Sequence, residues 1–185
     1  MESVDRLMKI RWNACHAGSK ILANPFFDRR PNWHERLLSA LLRALETCEN
    51  FKVKINAAAA LLSVRSREQL GALHAPLLLA LLAAAGDADN EDDRAGAETK
   101  HKLDLADSVL LAAARMVALG APADLEAADA ALTRDQVDGL RFVMAQALKR
   151  VAPERHELFC AARAAVAADR QRLRNLNLLF SEPEM

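Results

Sequence analysis

The sequence predicts an all-α protein. Hydrophobic residues make up 52% of the 185 residues but aromatic residues only 4%, with no Tyr, so the apolar mass is mainly Ala, Leu and Val. That composition is typical of helices. Apolar residues recur at helical spacing along most of the chain, and β-branched residues never alternate over the length of a strand. In addition, one helical segment occurs twice.

Four helices are predicted in the first half of the chain, over residues 4–23, 33–48, 52–63 and 66–85. The first ends at Asn24, because the residue before Pro25 is disfavoured in the helical conformation. Asn32 and Asn50 are the predicted N-caps of the second and third helices. Pro76 is expected either to kink the fourth helix or to lie in a new first turn.

Four more helices are predicted in the second half, over residues 100–119, 123–131, 134–150 and 153–178. Gly120 and Pro122 separate the first two, and Pro153 marks the start of the last. The segment GDADNEDDRAGAE, residues 86–98, holds six acidic residues against one basic residue and no large apolar side chain. It is predicted to be a mobile acidic loop, and the tail SEPEM is predicted to fray.

The segment that occurs twice predicts a helical-repeat architecture. Residues align in the same order across an offset of 43 positions: Lys9 with Lys52, Arg11 with Lys54, Asn13 with Asn56, Ala14 with Ala57 and Ala17 with Ala60. A period of about 40 to 47 residues built from helix pairs is typical of HEAT and armadillo proteins, in which stacked pairs bury one another's apolar faces. The predicted fold is therefore a HEAT/armadillo-like α-solenoid of stacked antiparallel helix pairs.

The same residues carry a resemblance to a known family. Residues 53–61 read V-K-x-x-A-x-x-A-L and residues 10–17 read I-R-x-x-A-x-x-A, a pattern that resembles the second helix of a HEAT repeat. The stretches KIRWNACHA, NP and CENFKVKINAAAALLSVRSREQLG together resemble the C-terminal HEAT-repeat region of the HEAT repeat-containing protein six family. Gly18, Arg65 and Leu70 depart from the family's pattern. The resemblance implies a scaffold without known catalysis.

A single α-solenoid domain is predicted over residues 1–185. It comprises a clear HEAT-like part over 4–85, the acidic loop 86–98, and degenerate repeats or a cap over 99–180. Residues 4–23 match the second helix of a HEAT unit, and no first helix precedes them in the sequence. We therefore expect either that the chain is the C-terminal part of a longer array, or that another chain covers the open face.

No pattern for catalysis or cofactor binding is present. The phosphate-binding motifs GxxxxGK[ST] and GxGxxG are absent, and so is the motif GxSxG that carries a catalytic serine. His156 and Cys160 have the i, i+4 spacing of a zinc-binding HExxH helix but lack a third ligand, so a core Cys160 near an exposed His156 is predicted instead. Cys15 and His16 point about 100° apart on a helix and cannot act together. The sequence predicts no enzyme, no metal, no cofactor and no small-molecule substrate.

The repeated polar residues are the candidate partner-binding residues: Lys9, Arg11, Asn13, Lys52, Lys54 and Asn56. They are predicted to line the inner face of the array, where they bind an acidic segment of a protein partner. The alternative is that Arg11 and Lys54 make ladder contacts with a carboxylate or carbonyl of a neighbouring repeat, as the resemblance to HEAT repeats implies. Lys52 is predicted to serve the partner and Lys54 the ladder.

The few bulky rings in the first third of the chain have two interpretations. They are Trp12, Trp33, Phe26, Phe27 and Phe51. Their first interpretation is packing between repeats, and their second is an aromatic anchor in a peptide groove.

Charge and cysteine usage restrict the class of function. The net charge is zero, which argues against general nucleic-acid or membrane binding. Residues 1–67 hold 12 basic and 6 acidic residues, residues 68–139 hold 5 and 14, and residues 140–185 hold 8 and 5. This alternation of basic, acidic and basic regions either steers a partner to one end of the protein or only keeps its surface soluble. Three Cys without a CxxC pair fit a reducing compartment.

These features predict a non-catalytic HEAT-repeat scaffold that mediates protein–protein interaction. The N-terminus lacks a signal-peptide pattern, and no uninterrupted apolar run reaches about 18 residues. We therefore expect an intracellular protein, cytoplasmic or nuclear, without a membrane partner. The alternative function is a nucleic-acid-binding helical-repeat module that uses the basic row of the repeat helices.

Overall fold

The computed structural model describes residues 2–26, 31–87 and 97–181, and every regular element in these ranges is helical. The α-helices are α1 (Glu2–Ala23), α2 (Pro31–Thr47), α3 (Phe51–Leu61), α4 (Arg67–Leu70), α5 (His74–Asp87), α6 (Ala97–Leu119), α7 (Pro122–Ala131), α8 (Arg134–Arg150), α9 (His156–Ala167) and α10 (Arg174–Phe180). The all-α prediction is confirmed for the described part of the chain.

The helices pack in two rows. In the first row, α1 lies against α3, α3 against α6, and α6 against α9. In the second row, α2 lies against α5, α5 against α8, and α8 against α10. Contacts of α2 with α3, α5 with α6, α6 with α8, and α9 with α10 join the rows, while α7 packs on α5 and α10. The helices thus follow one another in chain order along both rows.

The core lies between the rows and is built from Leu and Ala. Leu61, Leu81 and Leu110 are fully buried on α3, α5 and α6, respectively. Ala57 and Ala113 are also fully buried, on the neighbouring helices α3 and α6. Because an Ala side chain is small, helices that bury it can pack at short interaxial distance.

The fourth predicted helix breaks at Gly71 rather than at Pro76. α4 ends at Leu70, and Gly71 has φ 52°, a backbone conformation that favours glycine because it has no Cβ. A 3₁₀ turn over Gly71–Leu73 follows, and α5 begins at His74. Pro76 therefore lies in the first turn of α5, which confirms one of the two alternatives for this residue.

The last predicted helix, 153–178, is two helices, so that prediction was wrong. α9 ends at Ala167, and the chain turns before α10 begins at Arg174. Tertiary contacts fix α10 in place: the backbone N–H of Leu176 donates to the buried Asp129 carboxylate at 2.7 Å, and the Asn175 amide donates to the carbonyls of Asp129 and Leu132. These bonds hold α10 against the C-terminal end of α7.

Smaller boundary differences concern caps and the acidic loop. Asn50 caps α3 as predicted, because its side chain accepts the N–H of Val53 at 3.3 Å. Asn32 lies within α2, which begins at Pro31, so the cap prediction there was wrong. The ends of the predicted loop 86–98 belong to α5 and α6, and residues 88–96 lie outside the described ranges.

The stretch Arg67–Asp87 has the length and apolar composition of a membrane span. It comprises α4, the 3₁₀ turn and α5, and Leu77, Leu78 and Leu81 are fully buried within the protein. Because α2, α6, α7 and α8 pack around α5, these side chains are buried without a bilayer.

An ion pair joins α4 to the first turn of α7. The Arg67 guanidinium donates to both carboxylate oxygens of Asp124, at 2.5 and 2.7 Å, and Asp124 also accepts the N–H of Ala121 at 3.1 Å. Burial raises the pKa of Asp124, but the bonds from Arg67 and Ala121 outweigh it, so the pKa lies below its usual value. Asp124 therefore acts both as a partner of α4 and as a cap for α7.

We expect Asp124→Ala to lower the free energy of unfolding by about 2 kcal/mol, since it removes the cap and the partly buried ion pair together. Asp124→Asn retains an acceptor for Ala121 and should lose about half as much. Urea unfolding of both variants, each alone and combined with Arg67→Ala, measures the two contributions. Strictly additive losses in the Arg67→Ala, Asp124→Ala double variant would contradict an energetic pairing of the two residues.

Candidate protein-binding surface

The structure brings only part of the predicted basic row together. Lys9 on α1 and Lys52 on α3 line the same surface hollow, of about 310 Å³, to which α6 contributes His101. We call this the basic hollow; its other lining residues are Met8, Trp12, Asn50 and Phe51. Three helices of the first row therefore each contribute one Lys or His side chain to a single site.

Lys52 is positioned by an aromatic ring on the neighbouring helix. Its Nζ lies 5.6 Å from the centroid of the Trp12 ring, a cation–π contact between α3 and α1. Trp12 is half-buried and packs against the core. Trp12 thus serves packing between helices, the first of its two interpretations, and it also holds Lys52 at the rim of the basic hollow.

The other predicted residues lie elsewhere. Arg11 lines a different groove, and Asn13 is exposed on α1. The Asn56 amide donates to the carbonyl of Lys52 at 2.7 Å, a local bond within α3. Lys54 is half-buried, and within the described ranges no hydrogen bond or ion pair of its side chain occurs. The six residues therefore do not form one continuous row.

One arginine does bond to a carbonyl beside the neighbouring helix, but it is Arg115 and neither of the two predicted residues. The Arg115 guanidinium on α6 donates from Nε and Nη2 to the carbonyl of Val64, at 3.2 and 3.0 Å, just after the end of α3. Within the described ranges, neither Arg11 nor Lys54 makes such a bond to a neighbouring helix. Sequence reasoning missed Arg115 because α6 lacks the V-R-x-x-A pattern.

A second hollow, of about 410 Å³, lies between α1 and α2, and we call it the α1/α2 groove. Its apolar lining consists of Ala14, Leu37, Ala40, Leu41, Ala44 and Val53. The free thiols of Cys15 and Cys48 also line it and are buried. Burial, and to a lesser extent the nearby Cys48, raise the pKa of Cys15, so this thiol is poorly reactive.

Charge distinguishes this groove from a third hollow. Arg11 and Arg43 stand at the α1/α2 groove, and no Asp or Glu lines it. The third hollow, of about 460 Å³ between α5 and α8, has Asp87 and Asp135 among its lining residues. The two grooves therefore favour occupants of opposite charge.

The aromatic residues outside the basic hollow differ in exposure. Trp33 is 51% exposed on α2 with the Arg36 guanidinium 5.6 Å from its ring centroid, and Phe26 is exposed as well. Phe51 is partly buried against the core. Phe27 lies outside the described ranges. Packing therefore accounts for Phe51, whereas Trp33 and Phe26 stay available as contact residues.

The structure places the members of the cysteine and histidine pairs in different environments. His156 is half-buried, with its Nε2 3.2 Å from the Val151 carbonyl, whereas Cys160 is exposed, so the predicted core Cys160 beside an exposed His156 was wrong. Cys15 is buried while the adjacent His16 is exposed. Across residues 7–26, 33–87 and 100–181, no three His, Cys, Asp or Glu side chains converge.

No protein-family model matches the chain. No solved structure matches it significantly. The resemblance to the HEAT repeat-containing protein six family therefore stays a prediction from the residues quoted above.

Proposed function

We propose that the chain is a non-catalytic scaffold of HEAT type, an α-solenoid that binds an acidic segment of another protein. The observation that supports it best is the packing in two rows, in which successive helices of the chain stack in order. Stacked helix pairs form extended surfaces to which neighbouring units contribute equivalent residues. The 43-residue offset between the repeated segments of α1 and α3 is consistent with such units.

The basic hollow is the proposed contact point for the acidic segment. Lys9, Lys52 and His101 come from three successive helices of the first row, so a bound segment crosses the row rather than following one helix. Lys52 is preorganised by its contact with Trp12, which lowers the entropy lost on binding. We also propose an intracellular location, because Cys15 and Cys48 are buried free thiols of the kind that a reducing compartment maintains.

Affinity purification with the intact chain identifies the partner, and paired variants then test the hollow. We expect Lys9→Ala with Lys52→Ala to slow association with the purified partner and to reduce its salt dependence, because such charges act chiefly on encounter. Stability should fall by about 1 kcal/mol at most, from loss of the exposed cation–π contact. The measurements are stopped-flow association at several salt concentrations and thermal unfolding.

The matched control is Arg170→Ala with Arg174→Ala, two exposed basic residues near the C-terminal end of the described chain. It removes the same charge but should leave association almost unchanged. Equal slowing by both pairs would show a general charge effect and contradict a binding role of the hollow. Normal association with a clear loss of stability in the Lys9, Lys52 variant would assign these residues to packing instead.

Nucleic-acid binding is the alternative that the same hollow supports. Two Lys and one His side chain beside a Trp are a combination that also binds single-stranded nucleic acid. However, the Lys52 ammonium group lies over the Trp12 ring, so the face of the ring that it covers is unavailable for stacking with a base. Binding of random oligonucleotides tighter than about 10⁻⁴ M at physiological salt, lost in the Lys9, Lys52 variant, would favour this alternative.

A further inference from the structure

The two-row packing leaves one helix position open beside α1 and α2. Further along the chain, α2 packs on both α3 and α5. By their places in the rows, α1 corresponds to α3 and α2 corresponds to α5. In the described part of the chain, α3 packs on both α1 and α2, but the second row begins at α2, so no second-row helix precedes it to pack on α1 and α2 in the way that α2 packs on α3 and α5. The α1/α2 groove is this open position.

The walls of the groove have the shape that a helix requires. Ala14 on α1 and Ala40 on α2 are exposed, and both line the groove. Because these wall residues are small, an incoming helix can approach closely and insert larger apolar side chains between them. Leu41 and Val53 lie buried at the groove and provide an apolar base.

An exposed apolar stripe extends this surface along α1. The apolar residues recur at alternating spacings of three and four: Leu7, Ile10, Ala14 and Ala17 are exposed, and Ile21 at the end of the series is half-buried. Leu7 and Ile10 are 54% and 56% exposed, although they are large apolar side chains. A spacing of three and four residues is that of a seam between two packed helices. A contiguous exposed stripe of this kind marks an interaction surface.

Charge selects the occupant. Arg11 and Arg43 line the groove, and within the described ranges neither guanidinium makes an ion pair or a hydrogen bond. Beside the stripe, α1 exposes Asn13 and Lys20 as well as Arg11. A second copy docked through α1 would therefore place basic residues against basic residues, which is unfavourable. An occupant with acidic side chains along the edges of its apolar face complements the two arginines.

We propose that the α1/α2 groove binds an amphipathic helix of another protein, whose apolar side chains lie between Ala14 and Ala40 and whose acidic side chains pair with Arg11 and Arg43. This inference rests on the proposed function as a protein-binding scaffold. It concerns a surface separate from the basic hollow, so the two sites can be tested independently.

The experiment is selection of helices on the intact chain. The probe is a displayed library of peptides of about 17 residues, the length of α2, with Leu at alternating spacings of three and four and all other positions randomised. We expect the selected helices to be acidic beside their apolar face. Ala40→Glu should abolish their binding, and Arg11→Glu with Arg43→Glu should weaken it roughly tenfold or more.

Matched controls and the basic-hollow variant separate the outcomes. Ala161→Glu and Ala164→Glu make the same change at exposed positions of α9 and should bind the selected helices normally. Thermal unfolding verifies that each variant folds. If the selected helices bind the Ala40→Glu variant normally but do not bind the variant with Lys9→Ala and Lys52→Ala, this inference is overturned while the proposed function stays intact.

Three further outcomes would also overturn it. Enrichment of no helix above the level seen on the Ala40→Glu chain would show that the groove is not a helix site. Sedimentation showing a dimer of the wild-type chain that Ala40→Glu dissociates would assign the groove to a second copy. Selection of neutral or basic helices would contradict the pairing with Arg11 and Arg43.

Discussion

Leu110→Ala is expected to lower the free energy of unfolding by about 3 kcal/mol, which corresponds to a fall in Tm of roughly 6 to 12 °C for a chain of this size. Leu110 is fully buried on α6, the helix that packs on α3, α5, α8 and α9. Truncation leaves a cavity among helices that other contacts hold in place, so the site can collapse only partly. Chemical denaturation monitored by circular dichroism measures the change.

Leu103→Ala is the matched control for this prediction. It makes the same substitution on the same helix, but Leu103 is 41% exposed. We expect it to lower the free energy of unfolding by about 1 kcal/mol at most, because the removed atoms are partly solvated in the folded state. Equal losses in the two variants would contradict the placement of Leu110 in the core between the rows.

The helices could be predicted from the sequence because their apolar residues repeat over many turns. The starts and ends were less predictable, and α9 and α10 show why. Residues 154–180 contain neither Gly nor Pro, so nothing local marks the break between them. The break exists because the Leu176 N–H and the Asn175 amide bond to the end of α7, a tertiary interaction that no local pattern encodes.

The break at Gly71 illustrates a different difficulty. Both Gly71 and Pro76 are signals that interrupt a helix, and Pro is the stronger of the two inside a helix. Pro76 is nevertheless compatible with a helix here, because it lies in the first turn of α5. Backbone N–H groups in the first turn have no acceptor within the helix, so the missing N–H of Pro76 costs no hydrogen bond. Only the structure shows that the chain uses the positive φ of Gly71 for the turn.

The candidate site was predictable in part for a related reason. The repeat places Lys9 and Lys52 at equivalent positions, and these two do meet. His101 joins them because α6 follows α3 in the first row, which the sequence does not reveal across the acidic segment. Arg11 was grouped with them by spacing, but it lies at the α1/α2 groove, since it is two residues from Lys9 and therefore on another face of α1.

The second large effect is expected from pH and concerns His74. This residue is fully buried on α5, with its Nε2 2.8 Å from the carbonyl of Met116 on α6. Because a carbonyl only accepts hydrogen bonds, Nε2 carries the proton of the neutral ring. Nδ1 has no partner, so a second proton would create a buried charge with an unpaired donor.

Burial lowers the pKa of His74 below its usual value of 6.5. The Met116 carbonyl and Asp124 oppose the shift and Arg67 adds to it, but burial dominates. The unfolded chain therefore binds a proton near pH 6.5 that the folded chain does not bind. The contribution of His74 to stability is fully present above pH 6.5 and is lost as the pH falls from there toward the lower pKa of the folded state.

The slope of this loss approaches about 1.4 kcal/mol per pH unit within that window. Asp124 adds a loss of the same sign, but only below its usual pKa of 3.8, because its pKa is also lowered in the folded state. The two residues therefore act in separate ranges of pH. Urea unfolding at half-unit steps between pH 7.5 and about pH 4.5 measures the loss of stability in the range where His74 acts and Asp124 does not.

His74→Gln tests the assignment, because glutamine has a similar length, offers a donor to the Met116 carbonyl and does not titrate. The variant should be less stable than the wild type at pH 7.5 through imperfect packing, yet its stability should fall less steeply below pH 6.5. The control is His16→Gln, which removes an exposed histidine and should retain the wild-type slope. Parallel profiles for the wild type and His74→Gln would show that another group causes the acid sensitivity, and that His74 protonates without loss in the folded protein.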